Sequence, residues 1–253
     1  MPIYRRYLSY IKFPLPGADF MTAFTVLAIL VQFWLGSMVD ESGFVTAELE
    51  HNYLVLGLSW IGISQWHLWQ IVTYALAHGG WFHLVANLLM LWVVGGRVID
   101  ILGQKKFVLI VMVGVFVGGL LHLVIDYVVM GRGYPGTQLV GISGGCLALL
   151  LTLTTLSPAS RVWPFRVSRK NLGFGILLAM LLLLLMTPAL NVPVFSHMGK
   201  IISENGGSGL FVISHACHFG GAMAGWLLAS RLLVLRPSLL ELQRVRSRWE
   251  KKI

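Results

Sequence analysis

Six long stretches of mostly apolar residues run along the chain, at roughly 18–38, 71–95, 107–130, 138–157, 172–190 and 211–235. Each is about the ~20 residues that an α-helix needs to cross the hydrocarbon core of a bilayer. The pattern predicts an all-α, polytopic membrane protein built as a six-transmembrane-helix bundle. Residues 1–16 form an N-terminal segment, 17–235 the six-helix domain, and 236–253 a basic C-terminal tail. The first stretch is too long for a cleaved signal peptide, and its exit lacks the usual small-residue site, so it is expected to stay as a helix. The segment at 39–70 starts acidic and turns amphipathic towards Trp60, Trp66 and Trp69. Tryptophan favours the headgroup level, so this segment is expected to lie partly in the outer leaflet. The segment at 191–210 reads as a second outer loop, either a movable cover or a plain connector, with a flexible Asn205-Gly206-Gly207-Ser208-Gly209 run. The tail from Ser238 to Ile253 reads as an amphipathic surface helix.

Composition agrees. Of 253 residues, 57% are hydrophobic and 11% charged, which excludes an ordinary soluble domain and a disordered chain. The net charge of +9 does not point to nucleic acid, because the basic residues are distributed by topology. Of nineteen Lys and Arg, only Arg132 and Lys200 fall on one side of the predicted spans. The rest mark the cytoplasmic face, which places both termini inside. Such a minimal build is expected of a bacterial inner (plasma) membrane protein. The pattern specifies no oligomeric state. Cys146 and Cys217 both lie within spans, where a small buried hydrophobe is the plainer reading than a catalytic thiol.

Three spans carry polar residues at one estimated depth, in the outer third of the bilayer. Ser143 stands in Gly141-Ile142-Ser143-Gly144-Gly145. His83 is followed four residues later by Asn87, so both project from one helical face. His218 begins a run containing Gly221 and Gly225, a Gly-x-x-x-Gly spacing that lets two helix backbones approach closely. Polar groups at such depth face the bundle interior or a wet cavity and mark function. A serine hydroxyl is a weak nucleophile until a base takes its proton, and histidine is the commonest such base. A tetrahedral intermediate then needs donors aimed at its oxyanion. His83, Asn87 and the backbone N–H of Ser143 suit that task. Spans two, four and six contain no carboxylate at this level, so the site would be a dyad opening to the outer face.

These residues resemble the rhomboid intramembrane serine proteases over roughly 17–235. The likeness rests on Gly141-Ile142-Ser143-Gly144 for the nucleophile, on His218 through Gly225 for the base and its glycine spacing, and on His83 through Asn87 for the oxyanion. It implies a six-helix rhomboid-like core, a Ser143–His218 dyad, and cleavage of transmembrane protein substrates without a cofactor. It also implies that a substrate helix enters sideways near span five, unwinds and is cut near a small residue, with 191–210 as a cap. Gly141, Gly144, Gly221, Gly225, His78 and His215 would support the site, His78 through its hydrogen bonds. Two positions depart from the family pattern. Trp69-Gln70 stands where the first outer loop commonly has Trp-Arg, and Leu147 stands where bacterial members often place a tyrosine beneath the catalytic histidine. His218 would then be oriented by packing or by His215.

Rival readings remain in view. A catalytically silent rhomboid-like binder, gripping client helices in quality control, is the main alternative. A metal site at the clustered histidines lacks an HExxH motif and a nearby carboxylate, so no metal is expected. His122 and Asp126, at i and i+4 on span three, would be a proton-relay pair in a transporter or, more simply, an interfacial pair near the outer end.

Overall fold

A computed structural model describes residues 19–37, 54–131, 133, 136–159, 161–162, 167–211 and 214–234. The 1–16 segment, the acidic start of the 39–70 segment and the amphipathic tail lie outside the described residues. A helix occupies each predicted stretch: α1 (Phe20–Gly36), α4 (Trp81–Leu102), α5 (Gln104–Met130), α6 (Ser143–Leu156), α7 (Arg169–Met186) and α9 (His215–Val234). Short helices α2 (Trp60–Ser64), α3 (Gln70–Thr73) and α8 (Phe195–Ile202) fill two connections, and the pairs Arg161–Val162 and Val167–Ser168 form a two-stranded antiparallel ladder. By length and hydropathy, α4, α5 and α7 are long and apolar enough to cross a membrane. A fourth span is added if the Phe195–Phe211 stretch and α9, bent by 60°, are one broken span, while α1 and α6 are shorter apolar helices of 17 and 14 residues.

Three sequence boundaries are corrected. The second span begins at Trp81 and not near 71, because residues 74–80 are turn and extended backbone. Arg97, expected beyond that span, is inside α4. The segment at 191–210 is largely helical: after a 3₁₀ turn at Pro188–Leu190 come α8, a π turn at Ser203–Gly207 and a second 3₁₀ turn from Ser208.

The centre of the bundle is α5, α6 and α9, which make the most extensive mutual contacts. Small residues line their seam. A Cβ on Gly221 would overlap the Gly144 carbonyl, and one on Gly225 would overlap that of Ala148. On the third side, a Cβ on Gly118 would come within 2.7 Å of the Cys217 carbonyl oxygen. Without interhelical lipid exclusion to drive association, such backbone proximity supplies the packing. Thr152 Oγ donates across the same seam to the Gly225 carbonyl at 3.2 Å. By contrast α7 buries only Gly173 and Leu184.

The 54–74 segment lies on the end of the bundle that holds α2 and α3. Gln70, fully buried, knits it together: Nε2 donates to the Leu54 carbonyl at 2.7 Å and Oε1 accepts the Ser59 N–H at 3.3 Å. Gly62 makes room for that amide, since any Cβ there would collide with it. Trp69 Nε1 donates to Val55 O at 2.9 Å. The departure at position 70 therefore comes with its own anchoring. Gln70→Ala is expected to cost about 1–3 kcal/mol, the penalty for stranding buried polar partners, read as a lower thermal midpoint. Outward, the segment exposes Trp66, Trp69, Leu68 and Val72, an apolar patch suited to lipid contact.

Candidate functional site

The backbone that delivers Ser143 is extended and buried, and other segments satisfy it. Leu139 and Leu58 exchange two hydrogen bonds at 2.9 Å, and the Gly141 N–H donates to Tyr74 O at 2.8 Å. Tyr74 is itself fixed by its hydroxyl donating to Val115 O at 2.7 Å. Gly141 has φ +102°, a conformation that L-residues with a side chain rarely adopt. A Cβ there would also sit 2.9 Å from His83 Nε2 and 3.2 Å from Asn87 Nδ2. Glycine at 141 thus serves both the turn and the close approach of two side-chain donors.

Ser143 is the first residue of α6 and not, as the sequence suggested, five residues down a span. His83 is likewise in the first turn of α4, and His218 is in the first turn of α9. The depth estimates mistook buried loop for helix. Three helix N-termini converge where sequence placed three helix interiors. Their dipoles favour negative charge in the space between them.

Ser143 Oγ lies 2.7 Å from His218 Nε2, a hydroxyl–imidazole hydrogen bond. His83 Nδ1 accepts the Gly79 N–H at 3.3 Å, which leaves Nε2 to carry the ring proton on the Gly141 side. Asn87 is 6% exposed, and its Nδ2 meets no acceptor among the described residues. A buried amide donor facing no acceptor is costly and suits a ligand oxygen.

A match to the family model of the Rhomboid domain spans residues 65–234. The chain belongs to the rhomboid family. Rhomboid-related protein 2 of mouse is 24% identical to it over 226 residues, 88% of this chain and 67% of the mouse protein. Family membership and the apolar helices together make it an integral membrane protein.

Around this rhomboid centre the supporting residues take distinct places. Gly144 and Gly221 meet backbone to backbone directly beside the pair, and Gly225 repeats the contact one turn on. His78 is fully buried, with Nδ1 3.0 Å from Leu76 O and its ring edge-on to His83 at 5.1 Å. His215 Nε2 is 2.6 Å from Leu210 O, tying the 208–211 turn to α9, and its ring stands 6.4 Å and 72° from His218. Edge packing, not a hydrogen bond, relates those two rings. Both cysteines are fully buried, and Cys146 Sγ is 3.5 Å from the Asn87 carbonyl. No group of three or more potential metal ligands occurs among the described residues. His122 and Asp126 were read as an interfacial pair; both are buried, at 3% and 2% exposure, and among the described residues Asp126 accepts from Thr137 and from the Trp60 N–H that opens α2. Sequence reasoning missed Gln70 as an anchor and Tyr74 as the acceptor that holds Gly141, since neither carries a motif.

Proposed function

We propose that this rhomboid protein is an intramembrane serine endopeptidase that cleaves transmembrane segments of membrane proteins. The single observation that carries the reading is the 2.7 Å contact of Ser143 Oγ with His218 Nε2. His218 takes the hydroxyl proton as Ser143 attacks the scissile carbonyl, and then returns it to the leaving amine. The oxyanion forms beside Gly141, where His83 Nε2–H, Asn87 Nδ2 and the Ser143 N–H are donors, the first and last of them in the opening turns of helices. Water completes the cycle by hydrolysing the acyl-enzyme.

Lateral entry of a substrate helix is supported by the loose seating of α7. A cleft of about 540 Å³ is lined by α7, the C-terminal part of α6 and α9, running from Phe219, next in sequence to His218, to Lys170. The 191–211 stretch joins α7 to α9 and is tied to the latter through His215, which fits a hinged cap.

The test is co-expression with a reporter carrying one transmembrane helix, followed by sequencing of the new N-terminus, together with fluorophosphonate labelling of purified protein. A cut within or beside the helix is expected. Neither label nor cut, with client helices still captured, would instead favour a silent binder. Asn87→Ala is expected to lower kcat by about 10²–10³-fold, the range for loss of one oxyanion donor, with KM little changed, measured on the same reporter.

A further inference from the structure

The proposed chemistry leaves two buried polar side chains of α5 unused. Both oxygens of Asp126 accept from groups outside α5. Oδ1 takes the Thr137 N–H at 2.7 Å and the Thr137 hydroxyl at 3.2 Å, and Oδ2 takes the Trp60 N–H at 2.9 Å. Thr137 opens the extended stretch that turns at Gly141 into Ser143. One helical turn away, His122 Nδ1 is 3.0 Å from Ser214 Oγ. Ser214 immediately precedes α9, and its Oγ accepts the Cys217 N–H at 3.3 Å while its carbonyl accepts the His218 N–H at 3.2 Å. That is the geometry of a helix N-cap. A single helix therefore grips the chain six residues before the serine and four residues before the histidine.

Withdrawing a carboxylate from water is costly even when it is well hydrogen-bonded. Apolar side chains would hold α5 in the bundle at lower cost. What they lack is direction: they cannot fix the register of an irregular backbone, and both segments held here are irregular or helix-starting. The bonds to Thr137 and Ser214 end on the two segments whose relative placement sets the Ser143–His218 distance, and the bond from Trp60 ties in the start of α2.

We propose that His122 and Asp126 are positioning residues, a two-point clamp on α5 that sets the separation of Ser143 from His218. The clamp rests on the reading of that pair as the catalytic dyad. Neither side chain touches the reacting atoms. A misplacement of about 1 Å costs on the order of 10²-fold in rate, so a small slackening of either grip is expected to act on chemistry before it acts on folding.

The experiment compares Asp126→Asn, His122→Leu and His122→Asn with wild type in proteoliposomes. It reads the rate of fluorophosphonate labelling, kcat and KM on a reporter helix, and the thermal midpoint. Asp126→Asn places an amide NH2 against a backbone N–H. His122→Leu removes the tie to Ser214, whereas the side-chain amide in His122→Asn reaches the same hydroxyl. Labelling and kcat are expected to fall about 10- to 100-fold in the first two, with KM and midpoint near wild type, and to recover in His122→Asn. Amide hydrogen exchange at 139–145 and 214–219, measured in a Ser143→Ala background, is expected to quicken in the same two variants. That readout needs no catalysis: a wild type that neither labels nor cuts sinks the protease reading, and exchange alone then decides the clamp. Wild-type labelling and exchange in Asp126→Asn and His122→Leu would overturn it. Should Asp126→Asn fail to fold, equal labelling by the two His122 variants would do so.

Discussion

Ser143→Ala is expected to abolish fluorophosphonate labelling and reduce reporter cleavage by about a million-fold, while the protein folds as before. The magnitude follows from hydrolases in which nucleophile and base act as a unit, where loss of either costs about 10⁶ in kcat. At 1.36 kcal/mol per factor of ten this corresponds to roughly 8 kcal/mol of transition-state stabilisation. The stability side is small, because the substitution removes one hydroxyl and the single hydrogen bond at 2.7 Å to His218, worth about 1 kcal/mol net. His218→Ala is expected to match the loss, and the double variant to be no worse than either single one. Additive losses would mean that the serine and histidine act separately, contrary to a dyad. A Ser143→Ala protein that still cut the reporter would place the chemistry elsewhere.

Gly221→Ala is expected to lower both stability and activity. The added methyl would overlap the carbonyl and Cα of Gly144. These are backbone atoms, so no rotamer change relieves the clash, and α6 and α9 must separate. Overpacking a well-filled contact costs about 1–3 kcal/mol, read as a lower thermal midpoint. Gly144 adjoins Ser143, and Gly221 lies three residues beyond His218. The separation therefore lengthens the serine–histidine contact, and labelling is expected to fall with the midpoint. Gly175→Ala is the control. No atom lies within 4 Å of a Cβ built there, in α7, and the higher helix propensity of alanine favours it by up to ~1 kcal/mol. If Gly221→Ala behaved like Gly175→Ala, the glycine seam would not be what brings the two helices together. The two large effects are expected to separate: loss at Ser143 would be chemical, and loss at Gly221 architectural with a chemical consequence.

The residues that meet were legible because their types are rare in their surroundings. A serine between glycines, a His-x-x-x-Asn pair and a histidine ahead of Gly-x-x-x-Gly stand out against apolar helices, where polar groups are costly. The glycine spacing also announced which helices would touch. What was not legible were the anchors. Gln70 departs from the family pattern and looked like a weakness; it is the fully buried knot of its segment. Asp126 looked like an interfacial charge; it is buried and spent on Thr137 and Trp60. A side chain's partner across dozens of residues leaves no trace in local pattern.

Hydropathy pointed to a helical, membrane-embedded chain, which the helices and the family match together support, and a handful of polar residues in apolar runs was enough to single out the candidate centre. The runs could not say where each helix starts. Residues 74–80 and 138–142 fall within the apolar stretches read as spans, yet they run as turn and extended chain, with Gly141 donating to Tyr74 and Leu139 pairing with Leu58. Burial demands apolar side chains whatever the backbone does. Whether that backbone bonds to itself as a helix or to distant segments depends on neighbours that only the folded bundle supplies. That choice sets three helix N-termini around one glycine and brings Ser143 to His218.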